Sequence, residues 1–246
     1  MGAPAVLSAG CNRQVSFQRM LRFLGWLFAV GFMFFVAAAA GATYVILTAS
    51  KDLPDYTQLA NYAPPVMTRI YAADGSMLAE YAEERRLFVP ANQMPKRLIE
   101  AFISAEDKTF FTHGGLDWQG IASAAFRYAQ VKFTGKGQIV GASTITQQVA
   151  KNFLLTNERS IDRKLKEALL VQRIEQTFTK DQILELYLNE IFLGLNSYGV
   201  AAASLNYFGK SLDQLSLEQM AYLAALPKGP NNYHPFRQKE RAIERR

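Results

Sequence analysis

Hydrophobic and polar positions change period several times along the chain, and each change marks an element. Phe23 to Leu47 carries no charge over about 25 residues, roughly 37 Å of helix at about 1.5 Å per residue, enough to cross a bilayer with some tilt. Residues 48–65 lose that pattern, contain Pro54, Pro64 and Pro65, and read as a linker. Between Val66 and Val89 the pattern predicts short strands over Val66–Ala72, Met77–Tyr81 and Leu87–Val89, with Asp74-Gly75 as a turn. From Pro95 onward the period is helical, with Pro95 suited to the first helical position. Helices are predicted over Asp162–Phe178, from Lys180 to about Phe192, and over Gly199–Phe208 and Leu217–Leu226. Thr179-Lys180-Asp181 signals a helix start, and Pro227 a stop. Two glycine-containing loops interrupt the helices, Phe111–Leu116 around His113 and Thr134–Gly141 around Lys136, the second expected to be mobile. The prediction is a mainly α fold with a small β-hairpin element, preceded by one transmembrane helix.

Two carboxylates break the apolar faces of these helices. At 100° per residue, Ile99, Phe102 and Ile103 form a stripe, and Glu106 falls within it. Glu167 heads a second stripe with Leu170, Val171 and Ile174. A carboxylate in such a position costs free energy unless something pairs with it or uses it. Between them lies GASTITQQVAKN (141–152), where Ser143 or Thr144 suits an N-cap and Thr144 with Gln147 matches a capping box. A glycine loop entering a helix N-terminus offers free N–H groups to a phosphate, and Gln147 and Lys151 share one face beyond it. The same segment also reads as an ordinary capped amphipathic helix. Arg163, Lys164 and Glu167 share a face too. In isolation they would be a surface ion pair worth well under ~1 kcal/mol, but the place of Glu167 on an apolar stripe puts them at a cleft edge. Asp107 and His113 are expected to hold the loop after Glu106. The two histidines, His113 and His234, show no metal-ligand spacing, so no metal site is predicted.

Charge sets the orientation. Arg13, Arg19 and Arg22 precede the apolar span, and Lys51, Asp52 and Asp55 follow it, which places the N-terminus in the cytoplasm and the rest outside. A cleaved signal peptide ending near Ala37–Ala40 is the alternative, although such apolar regions run only about 7–15 residues. Cys11, the one cysteine, falls in the N-terminal tail, so no disulfide is implied. The net charge of +6 suits anionic lipid or phosphorylated substrates, and nucleic acid is a poor partner for an exported domain.

Taken in order, the polar motifs resemble the peptidoglycan glycosyltransferase family found in class A penicillin-binding proteins and monofunctional transglycosylases. The first, ED-x-x-F-x-x-H-x-G, falls on Glu106, Asp107, Phe110, His113 and Gly115. The second, G-x-S-T-x-T-Q-Q-x-x-K-N, falls on Gly141, Ser143, Thr144, Thr146, Gln147, Gln148, Lys151 and Asn152. R-K-x-x-E falls on Arg163, Lys164 and Glu167, and ILELYLN (183–189) and AYLAALPKGP (221–230) follow. The third motif is weak alone, whereas the second is long and specific.

The resemblance implies a lysozyme-like α domain over 66–246, after a cytoplasmic tail (1–22), a membrane helix (23–47) and a linker (48–65). It implies polymerisation of lipid II into β-1,4-linked glycan strands, with inversion and release of undecaprenyl pyrophosphate. Glu106 and Glu167 would be catalytic, Glu106 as general base. Asp107, His113, Ser143, Thr144, Gln147, Gln148, Lys151, Asn152, Arg163 and Lys164 would bind substrate. No tightly bound cofactor is implied, and a divalent cation (Mg or Mn) at the pyrophosphate is left open. Expected partners are lipid II, the growing strand, the bacterial inner membrane and other cell-wall synthesis proteins. The segment before Pro95 looks like a bifunctional class A protein, yet S-x-x-K and K-T-G, the marks of a transpeptidase, do not occur in these residues. The chain is therefore expected to be the N-terminal part of a longer protein. A glycan-cleaving enzyme of the same fold would need an acid for an alkoxide leaving group rather than cations for a pyrophosphate. A non-catalytic membrane scaffold would be expected to lack Glu106, Lys151 or Glu167.

Overall fold

The computed structural model describes residues 9–51, 53–62, 68–81, 85–136, 141–155, 160–235 and 237–246. It divides into two compact units, Met1–Asp52 and Leu53–Arg246. The first is a single helix, α1 (Ala9–Lys51), whose Met20–Lys51 portion is long and apolar enough to cross a membrane. The helix begins well before Phe23, because no proline interrupts residues 9–22. The first eight residues of the predicted tail lie outside the described residues.

The second unit opens inside the predicted linker. Tyr56–Asn61 forms a 3₁₀ helix capped by Asp55, which accepts the Thr57 N–H at 2.9 Å. Leu59 is buried in the core, so this stretch packs rather than spaces. That corrects the linker expectation for these residues; Pro64, Pro65 and Val66 lie outside the described ones.

The hairpin forms as predicted, from β1 (Thr68–Tyr71) antiparallel to β2 (Met77–Tyr81), with Thr68 opposite Tyr81. The third predicted strand does not form. Val89 instead gives its N–H and accepts its C=O bond from one side chain, Asn189, at 2.8 and 2.9 Å. A two-residue strand just before it, β3 (Arg85–Arg86), pairs in parallel with β4 (Ser197–Tyr198). Arg86 is buried there, donating to Glu190 and to the Tyr62 hydroxyl.

Among the described residues eight α-helices carry the rest of this unit: α2 (Lys96–Glu106), α3 (Trp118–Thr134), α4 (Ile145–Leu154), α5 (Ile161–Thr177), α6 (Lys180–Glu190), α7 (Val200–Phe208), α8 (Leu217–Ala225) and α9 (Lys239–Arg245). Most start where a side chain caps them. Thr144, Thr179 and Ser216 make full capping boxes with Gln147, Gln182 and Gln219. Ser160 accepts the Arg163 N–H at 3.0 Å, which starts α5 one residue earlier than predicted. Pro95 sits at the N-cap of α2 rather than in its first turn, a one-residue correction. Pro227 lies in a 3₁₀ turn that ends α8.

Helix α2 packs on α8, and α4 packs against both α5 and α6. Their shared core includes Leu98, Phe102, Ile145, Leu170, Ile174 and Tyr187, each almost fully buried. Each of the aliphatic and phenylalanine side chains among them contributes about 1.5–3 kcal/mol relative to exposure. Helix α3 is the exception: it buries none of its side chains and leaves Trp118, Phe126 and Phe133 between 70% and 88% exposed.

Candidate active site

Glu106 is the last residue of α2, one turn beyond the fully buried Phe102 and two beyond Leu98. The apolar stripe therefore delivers a carboxylate to the rim of the core. Gln148 of α4 donates to it from Nε2 at 3.0 Å. Burial pushes its carboxyl above the ordinary carboxylate range. The Gln148 bond and the charges of Arg245 and Lys228 pull the other way, and Asp107 adds a smaller upward push.

Asp107 does not face the cleft as a free acid. It is buried, accepts the Ile145 N–H at 3.0 Å, and takes His113 Nε2 at 2.9 and 3.0 Å. His113 Nδ1 accepts the Gly115 N–H at 3.0 Å, so the ring proton sits on Nε2 and points at Asp107. The Gly115 carbonyl then accepts the Thr144 hydroxyl at 2.6 Å. Asp107, His113 and Gly115 thus staple the loop to the start of α4. Gly115 itself has φ +89°, and a Cβ there would lie 2.5 Å from Val171 and 2.7 Å from Glu175. No other residue fits.

At the start of α4 the Ile145 N–H is taken by the Asp107 carboxylate and the Gln147 N–H by the Thr144 hydroxyl oxygen at 3.2 Å. Gln147 is buried, and its amide oxygen accepts the Thr144 N–H at 2.9 Å, which closes the capping box. Thr144 is equally buried. Lys151 and Asn152 stand exposed on the last turns of α4.

Glu167 lies on α5 and is 2% exposed. Lys164 donates to one of its oxygens, and Arg163 Nη1 stands 3.9 Å from the other. Arg163 also keeps a buried Nε with no partner among the described residues. Among the described residues no group of three or more His, Cys, Asp or Glu is arranged to hold a metal. Glu167 meets two cations, Lys164 and Arg163.

A cavity of about 270 Å³ opens beside Glu106, lined by Lys108, Ser123, Arg127, Ser143 and Thr144 among others. Lys108, Ser123 and Arg127 were not singled out from sequence. The spacing of Ser123 and Arg127 on one face of α3 was the available signal. Tyr187 was also missed. Its ring meets Phe102 edge-on with centroids 6.4 Å apart, and its hydroxyl is buried without a partner among the described residues. Burial, then Glu106 and Asp107, push that phenol well above its ordinary range.

The model of the transglycosylase family matches residues 74–246, most of the chain and the whole of this site. The chain belongs to the transglycosylase family. Among relatives of this transglycosylase, penicillin-binding protein 1A of Rickettsia conorii is 53% identical over 216 residues, covering 87% of this chain and 27% of the relative. Penicillin-binding protein 1A of Escherichia coli (strain K12) is 45% identical over 212 residues, covering 86% of this chain and 24% of the relative. The chain spans about a quarter of the length of the relatives it matches. A crystal structure of Haemophilus influenzae penicillin-binding protein 1A, 30% identical, overlaps 75% of this chain and 17% of that one with a TM-score of 0.38, too loosely to carry an argument.

Proposed function

We propose that this transglycosylase polymerises lipid II into β-1,4 glycan strands, with Glu106 as the general base. The observation that carries the reading is one carboxylate, held by Gln148 at the rim of the core and lining a cavity, in a chain of this family. Glu106 takes the proton from the 4-hydroxyl of the acceptor sugar as that oxygen attacks C1 of the donor. The bond from C1 to the pyrophosphate breaks with inversion, and the leaving group departs with its electron pair. Pyrophosphate needs charge neutralisation more than a proton, and Arg163, Lys164 and Lys151 are the cations for it. The buried, unspent Nε of Arg163 supports that role, because a donor out of water gains most from an arriving anion. Glu167 holds Arg163 and Lys164 in place. No step is routed through a metal.

The raised Glu106 carboxyl also suits the acid of a glycan-cleaving enzyme, and that is the second reading. One assay separates them. Labelled lipid II should be converted to long glycan, and preformed glycan should stay intact. Cleavage of preformed glycan without polymerisation would overturn the first reading.

The setting proposed for this chemistry is a bacterial inner membrane, with α1 as a single-pass anchor, the N-terminus cytoplasmic and the second unit extracytoplasmic. The exposed Trp118, Phe126 and Phe133 on α3, whose Ser123 and Arg127 line the cavity, support a cleft that works at a lipid surface.

A further inference from the structure

Glu106 occupies the least favourable end of its helix. Carbonyl dipoles make a helix C-terminus partially negative, so a carboxylate there is repelled and a cation is favoured. Helix α2 has no basic residue in its last turn. Burial adds to the penalty on the charged form. A base must nevertheless be ionised to accept a proton, so the countercharge has to arrive from elsewhere.

It arrives from the other end of the domain. Helix α9 packs on α8, which packs on α2. Ala242 is buried, pinning α9, and Arg245 follows three residues later on the same side, half-buried. Arg245 lines a cavity of about 480 Å³ together with Ser104 and Ala105 of α2, Ala225 of α8 and two further cations, Lys108 and Arg246. The small side chains among them leave room for a guanidinium against the last turn of α2. The groups facing Glu106 are the Gln148 amide of α4, the adjoining Asp107, Lys108, Arg127 of α3 across the cavity, the Tyr187 phenol of α6, Lys228 and Arg245. Among the cations, the charges of Arg245 and then Lys228 bear on the Glu106 carboxyl.

We propose that Arg245 is a positioning residue for the base: it brings to the negative end of α2 a cation from outside that helix, and so keeps Glu106 charged and ready. The inference rests on the reading of Glu106 as the base. Removing the cation disfavours the carboxylate, so the acid limb of the pH–rate profile moves to higher pH. In Arg245→Gln the limb of kcat/KM should rise by about half to one pH unit, a roughly 3- to 10-fold loss on the acid side, with the plateau above it kept within about twofold. Arg245→Lys should restore the limb. Lys239→Gln removes the same charge from the same helix, beside the apolar groove of Tyr207 and Tyr222, and should leave the limb unmoved.

The profile is measured with lipid II on the full chain, alongside a ¹³C NMR titration of the Glu106 carboxyl that needs no turnover. Arg245→Met keeps the packed stem and replaces the glutamine variant if that one melts early. A limb and a titration that coincide with those of the parent, or that Lys239→Gln moves equally, overturn the inference. Glu106→Gln keeps the two ideas apart. If it is inactive while Arg245→Gln titrates like the parent, only the role of Arg245 falls. If it stays active, the base assignment falls, and the NMR titration alone decides whether Arg245 holds the carboxylate charged.

Discussion

Glu106 shows at the scale of one residue how a site is held at the expense of stability. Its carboxyl is raised in the folded chain, chiefly by burial. Below the ordinary carboxylate range it is protonated in both states and costs nothing. Above the raised value the folded chain carries a half-desolvated charge that the unfolded chain carries in water, so stability falls as pH rises through that window. Glu106→Gln keeps an acceptor for Gln148 and removes the charge. It should therefore melt no lower than the parent at pH 7, with any gain vanishing at pH 4, while lipid II turnover falls by about 10²–10⁴. Melting several degrees lower at pH 7 would show that the charge is stabilising and the account wrong. Arg163 gives a second test at this scale. Arg163→Ala should cut turnover and weaken inhibition by pyrophosphate, and Arg163→Lys should recover only part, since an ammonium lacks the forked donors and the buried Nε. Unchanged pyrophosphate inhibition in Arg163→Ala would remove the anion role.

Among elements, the site depends on how the end of α2 is stapled to the start of α4. The Ile145 N–H and the His113 ring both donate to Asp107, so the position needs two acceptor oxygens. Asp107→Asn leaves one oxygen and turns an amide donor toward a donor, which costs about 1–3 kcal/mol. For a unit of this size that is a fall of roughly 3–10 °C in Tm. Because the same staple sets where Gln148 meets Glu106, turnover should fall with it; a variant that melts and turns over like the parent would show that the staple is idle. Gly115→Ala should be as damaging, through positive φ and the approach to Val171 and Glu175, and calorimetry would register it. Some of this staple is legible in the sequence: Thr144 and Gln147 announce their capping box three residues apart. Asp107 as the anion of α4 is not, because its partner Ile145 is reached only after α3 and two loops have been folded out of the way.

The whole molecule separates into a membrane-length helix and a domain with its own core. Residues 53–246 should fold alone with a single cooperative transition, and a broad, non-cooperative melt would contradict that. The isolated domain should still sediment with liposomes through α3, and replacing Trp118 and Phe126 by Ser should reduce sedimentation severalfold without lowering Tm, since neither side chain is buried. Unchanged sedimentation would remove α3 from the membrane contact. At this scale the division of labour becomes clear. The sequence by itself determined the helical periods, the caps, the apolar span and the two carboxylates on apolar stripes, because each depends on residues within a few positions of one another. Only the tertiary structure decided that Gln148, one position and 100° from Gln147, is the amide that reaches Glu106, and that Asp107 accepts the Ile145 N–H at the start of α4. It also paired Arg85–Arg86 with Ser197–Tyr198 and drew Val89 out of any sheet. Those choices follow from how whole elements dock, and no local period records which face of one helix will meet the end of another.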